Sequence, residues 1–561
     1  MTGVSQLSPP TSRFRTEAGQ LEFLEIARRI LGSDHVVTSP AEIERRSRDT
    51  VPGAIPPVAF VFPGSADEVR EVVRAADRCG VCVWPHSSGR NWGWSNSPTQ
   101  EGSIVMILER MNRIIHVSED LAYAVIEPGV SYEDLNNYLK AHNIKLWADC
   151  TGGPPKGSVL GNALDRGVGV TMHGEHFASL CGLEVVLGNG EVIRTGGYPD
   201  GKDGTRYTYK WGIGPVLEGL FSQANFGVVT QGGVWLMPEP EAHLMFGFTM
   251  EDESQIVPLM NALRRLALHG IIPDKIRITN DFAVLTLLTQ WMKERLDGDS
   301  AITPTDMRKL DEKYHFGLWS FCSSVYGRKE QVRALRKIIA QELSPYGRLL
   351  FFSDRKVAFL EKALPVLMKL HRSRSRLMDW FGGRLLHLSL PMVQMLPPLY
   401  RLYQGVPTEQ IVRRAYFRSK KDRPAKDVHV AQDGVGLIWF GPLVPLEGQP
   451  VFDLIDLYRR WFRESGFDCY ITILMLNART VVPLMGIIYR TEDRSECERA
   501  VALYRKLHDD SLNRGYQQFR CGRLGWPSIY RDSPALLAIN SKIKEVFDPR
   551  HTISPGKYGI P

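Results

Sequence analysis

No stretch of this chain holds the roughly 18 unbroken apolar residues that a membrane-crossing helix requires. Its opening residues, MTGVSQLSPPTSRF, lack a basic segment followed by an apolar one, so no secretory signal is expected. An excess of one charge sign is missing too. The 69 basic and 62 acidic side chains leave a net charge of +7, too small at this length to argue for nucleic acid. Cysteine is sparse: eight residues stand singly, with none of the paired spacing of a metal site. Cys79 and Cys82 do form C-x-x-C, but within RCGVCVWP, where Cys82 falls in an apolar strand. A core role is therefore expected there rather than redox chemistry. These absences leave a cytoplasmic protein with reduced thiols as the expectation.

What is present is a globular composition, 43% apolar and 23% charged, and 561 residues, enough for two or more domains. The most informative stretch is Val81 to Asn91, VCVWPHSSGRN. It begins as a β-branched run, breaks at Pro85, and becomes a loop of small polar residues ending in Arg90 and Asn91. A buried strand opening into such a loop can turn several N–H groups toward one anion, and the arginine adds charge. The preceding segments agree. VAFVFP (58–63) reads as a strand, and SADEVREVVRAADRCG as a helix capped by Ser65 and stopped by Gly80. A second glycine-rich zone, DCTGGPPKGSVLGNALDRGVG (149–169), opens a helix at Ser158 that is suited to another part of the same ligand. A hairpin around Asn189-Gly190 and a Gly-Val-Val strand start at 227–229 follow.

The middle alternates strands with long helices. HLMFGFTM, a helix and IRITN form one unit; HFGLWSFCSSVYG, a helix and GRLLFFS form another; GLIWFGPLVP, CYITILMLN and TVVPLMGIIYR continue the pattern. This implies an antiparallel sheet with helices on one side, an α+β arrangement. Residues 367–407, basic and then apolar with several prolines, are expected to form a lid or subunit contact in preference to a membrane-touching patch.

Five blocks in order, WPHSSGRN, IEPGVSYEDLNNYL, GSVLGNALDRGVG, VVLGNGEVIRTG and LFSQANFGVVTQGGVWLMPEP, resemble the flavin-binding half of the vanillyl-alcohol oxidase / p-cresol methylhydroxylase family. The closing FDPRHTISPGKYGI is similar to that family's C-terminus. The resemblance implies a two-part FAD-binding domain of the PCMH type, residues 1–243 with 506–561, and an inserted α+β cap at 244–505. Candidate FAD contacts are Pro85, His86, Ser87, Ser88, Gly89, Arg90 and Asn91 in the first zone. Gly157, Ser158, Val159, Asn162 and Gly167 follow in the second, with Gly227, Val228, Val229 and Lys557 beyond them. Arg520 matches the family's site arginine, a cation suited to the negative charge that builds on a reduced flavin.

Departures from the pattern bear on the substrate. Two tyrosines that hold a phenolate in relatives acting on 4-alkylphenols are replaced by Trp94 and Phe519, neither of which has a phenolic hydroxyl. The acid expected near the flavin falls at Gly152-Gly153. The flavin-anchoring histidine falls within DGVGLIWFGP, which has none, so a non-covalent flavin is expected, with His429 the weak alternative for a covalent link. Three functions remain open: an oxidase or dehydrogenase for aromatic or benzylic alcohols or related C–H bonds; a flavoenzyme for a non-phenolic secondary-metabolite alcohol; and a flavin-binding electron-transfer or structural subunit. The resemblance implies oxygen or a cytochrome-type protein as electron acceptor, a small aromatic substrate and a homodimer.

Overall fold

The computed structural model describes residues 16–197, 204–273, 275–297, 300–372 and 389–561. Its N-terminal layer is built from α1 (Glu17–Leu31), β1 (Val36–Val37), α2 (Pro40–Arg46), β2 (Ala59–Val61), α3 (Ala66–Cys79), β3 (Val83–His86) and β4 (Ile104–Ile107). The strands lie in the order β1-β2-β4-β3, with β2 and β3 both parallel to β4. Helix α3 starts where expected: the Ser65 hydroxyl accepts the Glu68 N–H at 3.2 Å, and Gly80 ends the helix in the left-handed conformation. Its apolar stripe, Val69, Val72, Val73 and Ala76, packs with Phe23 and Leu24 of α1 over the sheet.

A second sheet follows. It contains β5 (Ile114–Ser118), β6 (Tyr123–Ile126), β8 (Leu180–Leu187), β9 (Val192–Arg194) and β10 (Gly227–Trp235), in the order β5-β6-β10-β8-β9. Between β6 and β8 run α4 (Tyr132–Ala141), the short β7 (Leu146–Trp147) that pairs with β11 (Met237–Pro238), and α5 (Val159–Leu164).

The third sheet is the expected antiparallel one. Its strands are β12 (Ala242–Met250), β13 (Arg277–Asn280), β14 (Trp319–Gly327), β15 (Arg348–Phe352), β16 (Gly436–Phe440), β17 (Val444–Pro445), β18 (Tyr470–Asn477) and β19 (Thr480–Tyr489). The order is β15-β12-β14-β13-β18-β19-β16, with β17 also on β19. The two strand-helix-strand units read from the sequence interleave: β14 lies between β12 and β13, and β12 lies between β14 and β15. Alternation then gives the sheet two unlike faces. Phe246, Phe248, Ile278, Phe321, Ile471 and Ile473 point into a core shared with α6 (Ile256–Leu268), α9 (Lys329–Leu343), α12 (Gly448–Glu464) and α13 (Arg494–Asn513). Their neighbours in the strands, Gly247, Thr249, Arg277, Thr279, Ser320, Cys322, Tyr470 and Thr472, line a cavity on the other face.

Further helices are α7 (Asp281–Leu288), α8 (Pro304–Tyr314), α10 (Asp354–Arg372), α11 (Leu390–Leu402) and α14 (Pro534–Phe547). The expected boundaries at 243 and 505 fall inside β12 and α13. The latter runs on to Asn513, because its face stays buried against the sheet through Leu507 and Ser511. Of the segment 367–407, residues 373–388 lie outside the described ones. Met392, Met395, Leu396 and Leu399 of α11 form part of the cavity wall.

The chain's end returns to β3. Val83 bridges Ile553 in parallel, its N–H donating to Thr552 O at 2.8 Å and its carbonyl accepting from Ser554 N at 2.9 Å. Lys544 and Asp548, both fully buried, hold this segment. The ammonium donates to Asp548 Oδ2 at 2.6 Å, Asn225 O at 2.5 Å and Ile553 O at 2.7 Å, while the carboxylate accepts the Thr552 and Ile553 N–H groups. Removing one partner leaves a buried charge unpaired, so Asp548→Ala is expected to cost about 3–5 kcal/mol. This should appear as a lower denaturation midpoint, with Lys544→Met/Asp548→Leu recovering part of the loss. An unchanged midpoint for Asp548→Ala would refute this role.

Candidate active site

The two glycine-rich zones of the sequence meet. A Cβ added to Gly161 of α5 would stand 2.1 Å from Ser87 Oγ, so the helix and the β3 loop pack backbone against side chain. Ser158 caps α5 by accepting the Gly161 N–H at 2.9 Å and donates to Pro128 O at 2.6 Å. Gly167 is equally confined, its missing Cβ standing in the place of Asn162 Oδ1. Around this junction opens a cavity of about 580 Å³ that extends to the polar face of the third sheet.

Of the candidate FAD contacts, Pro85, His86, Ser87, Ser88, Gly89, Arg90, Asn91, Gly157, Ser158, Asn162, Gly167, Gly227, Val228, Val229 and Lys557 all line this cavity. Val159 is the exception. As the first helical residue it turns its side chain into the core beside Leu160 and Ala163, and its N–H is spent on Val130 O. His429 is also absent from the wall: its Nδ1 accepts the Gln432 N–H at 3.4 Å within a turn. The strand where the resemblance places the family's anchoring histidine, and which contains no histidine, presents Trp439 to the cavity.

The chemistry of the wall suits a dinucleotide flavin. Trp84 Nε1, Asn225 Oδ1 and Ser554 Oγ are buried at this wall with no hydrogen-bond partner among the described residues, open to polar atoms of a ligand. Burial, with the nearby Lys557 charge, pushes His86 down to about 3, so it is a neutral imidazole. Burial also lowers Lys557, against the pull of Asp165. Arg90 donates to Val428 O at 3.2 Å, joining the loop to the segment before β16.

Arg520 lies between aromatic rings, its guanidinium carbon 5.7 Å from the Trp94 ring and 5.8 Å from that of Phe519. Its Nε donates to the Asp165 carbonyl at 2.8 Å and lies 3.0 Å from Asp165 Oδ2; that carboxylate also accepts the Tyr558 hydroxyl. Arg520 is therefore part of an ion pair that the sequence did not reveal.

At the other end stand residues for which the sequence carries no functional signal. Trp439 meets Trp92 and Tyr470 edge-on, each at 5.2 Å between ring centroids. Tyr470 accepts a hydrogen bond from Arg414, whose Nε donates to Ile411 O at 2.9 Å. Ile411 in turn occupies the space left by Gly152, where a carboxylate was expected. Arg277 donates to the carbonyls of Val168, at 3.1 Å, and Gly169. Behind that segment, Asp149 accepts the Val170 and Thr171 N–H groups and lies 3.3 Å from His176 Nε2, whose Nδ1 is 2.6 Å from Asn162 Oδ1. Burial raises the Asp149 carboxyl, but these hydrogen bonds outweigh it and hold the group below its usual range.

Comparison with known proteins agrees with this geometry. The FAD binding domain family matches residues 57–196. The chain is 32% identical over 539 residues to 1'-carboxy-chondrochloren decarboxylase of Chondromyces crocatus, across 95% of this chain and 96% of that protein. It is 28% identical over 545 residues to the 4-cresol dehydrogenase (hydroxylating) flavoprotein subunit of Pseudomonas putida, across 95% and 94%. Among solved structures, p-cresol methylhydroxylase with substrate bound superposes with a TM-score of 0.83 at 26% identity, covering 97% of this chain and 98% of that one. A 4-ethylphenol oxidase from Gulosibacter chungangensis shares the fold, with a TM-score of 0.84 at 23% identity and the same coverage. With full-length relatives, the FAD binding domain match and the antiparallel third sheet all in agreement, the chain belongs to the vanillyl-alcohol oxidase / p-cresol methylhydroxylase family and is an FAD-dependent oxidoreductase.

Proposed function

We propose that this enzyme takes a hydride from a benzylic alcohol or related C–H carbon of an aromatic substrate, in a pocket altered from the 4-alkylphenol type. The supporting observation is one continuous cavity that runs from the two glycine-rich zones to a chamber walled by Trp92, Trp94, Trp439 and Tyr470. Bound FAD supplies the hydride acceptor there. The edge-on tryptophans favour a flat ring, Arg520 supplies positive charge, and Trp94 and Phe519 present no hydroxyl to a phenolate. One relative acts, by its name, on 4-cresol, and another on a carboxylated compound. Oxygen or a cytochrome-type partner takes the electrons onward; adding each in turn to the reduced enzyme decides between them.

Anaerobic stopped-flow reduction tests the reading. Each lost charge-assisted hydrogen bond is worth about 1.5–3 kcal/mol. Vanillyl alcohol is therefore expected to reduce the flavin at least about 100-fold more slowly than a larger aromatic alcohol able to stack on Trp94. Rapid reduction by vanillyl alcohol that survives Trp94→Ala and Phe519→Ala would refute the altered pocket. Failure of every aromatic alcohol in a panel would refute the function.

A further inference from the structure

Among the described residues, the cavity wall carries five cations, Arg90, Arg277, Arg414, Arg520 and Lys557, against a single carboxylate, Asp165. Asp165 is committed to Arg520 and Tyr558. Arg90 and Lys557 belong to the flavin cradle. Arg277 and Arg414 remain, both at the third-sheet end and neither paired with an acid.

The partners of these two arginines are neutral. Arg277 bonds to the Lys275, Val168 and Gly169 carbonyls, and Arg414 to the Ile411 carbonyl and the Tyr470 hydroxyl. No acceptor stands on Arg277 Nε or on Arg414 Nη2 among the described residues. Asp149, behind Arg277, is occupied by His176 and two backbone N–H groups. Burial disfavours both cations, and the charge of Arg277 adds to that burden on Arg414. Two partly buried guanidinium groups share this cavity wall with no acid paired to either among the described residues, and a ligand that brings an anion offsets their mutual repulsion.

The register places this charge beside the substrate chamber. Arg277 lies opposite Leu474, and Thr279 opposite Thr472, so Arg277, Thr279, Tyr470 and Thr472 share the cavity face of adjacent strands. Tyr470 links the pair to Trp439 and the aromatic end. We propose that Arg277 and Arg414 form a subsite for a carboxylate carried by the substrate, with the Tyr470 and Thr472 hydroxyls beside it. Planar guanidinium forks match a carboxylate's two oxygens. The neighbours Leu474, Leu484 and Trp439 are apolar and lie in paired sheet strands, not in a turn that could form the N–H nest a phosphate favours.

This assignment rests on the aromatic-substrate reading, and its test is a binding measurement that does not depend on turnover. Holoenzyme is titrated calorimetrically with 3-phenylpropanoate, its neutral amide 3-phenylpropanamide, and inorganic phosphate. Wild type is expected to bind the acid about 10- to 100-fold more tightly than the amide, the range of one charge-assisted hydrogen bond. Arg277→Met or Arg414→Met should abolish that preference while leaving the amide's affinity within about twofold. Arg414→Lys should retain part of it, which guards against misreading a folding defect as loss of the subsite. Equal affinity for acid and amide in wild type, or a preference that survives both methionine variants, would overturn the subsite. Phosphate competing as tightly as the acid would overturn its assignment to carboxylate. If the acid preference holds while no aromatic alcohol reduces the flavin, the subsite stands and the proposed reaction falls.

Discussion

Gly161→Leu is expected to yield a folded protein with less than about a tenth of the wild-type FAD content, since overpacking of this kind costs about 1–3 kcal/mol or more. The reason is local. The first side-chain atom at 161 would meet Ser87 Oγ at 2.1 Å and Ser158 Oγ at 3.2 Å. Ser158 cannot yield without breaking the cap on α5 and its bond to Pro128 O. Helix α5 must then move away from the β3 loop, and the two walls of the cradle separate. Gly219, where an added Cβ meets nothing within 4 Å, is the control: Gly219→Ala should keep its flavin. Gly89 tests the same wall differently. A Cβ there has room, 3.6 Å from Ile107 Cδ1, but φ is +63°, so Gly89→Val strains the loop backbone without a clash. Flavin absorbance of the purified proteins, with circular dichroism to confirm folding, decides the matter. A full complement of FAD in folded Gly161→Leu would remove the junction from the cofactor site.

The cradle was legible because its signals are local. Pro85 breaks a β-branched run, Ser158 stands three residues before Gly161, and Gly227 opens a strand, so chain chemistry alone places each near a strand or helix end. Val159 lies off the cavity for an equally local reason: a helix start is legible in sequence, but the direction in which its first side chain turns is not. The substrate end was not legible. Alternation in Arg277-Ile278-Thr279 and Tyr470-Ile471-Thr472 announces two-faced strands, yet which face meets a cavity depends on β13 lying between β14 and β18. Those partners are far apart in sequence. Arg414 lies in a short 3-10 helical segment, Val412–Arg418, too brief to give a periodic signal. The Gly152-Gly153 departure was visible as a missing acid. Its consequence, room for Ile411 and through it a hold on Arg414, required the fold.

The second large effect concerns Arg520. Replacing it with alanine is expected to slow flavin reduction about 100- to 1000-fold, the range for losing one preorganised charged donor aimed at developing negative charge. Arg520→Lys should recover part of the rate, because a point charge cannot reproduce the planar fork between Trp94 and Phe519. The ion pair complicates the interpretation. Arg520 Nε is held by Asp165, so the alanine variant both removes a cation and leaves an uncompensated carboxylate in the cavity wall. That carboxylate would itself oppose the build-up of negative charge. Arg520→Ala/Asp165→Asn separates the two contributions. If the double variant remains as slow as the single one, with FAD content and substrate affinity intact, Arg520 acts directly on the reacting groups. If the double variant returns most of the rate, the arginine serves to neutralise Asp165, and its catalytic assignment fails. The geometry favours the first outcome: only Nε is committed to Asp165, and the two Nη groups, which have no acceptor among the described residues, are left for the cofactor or the substrate.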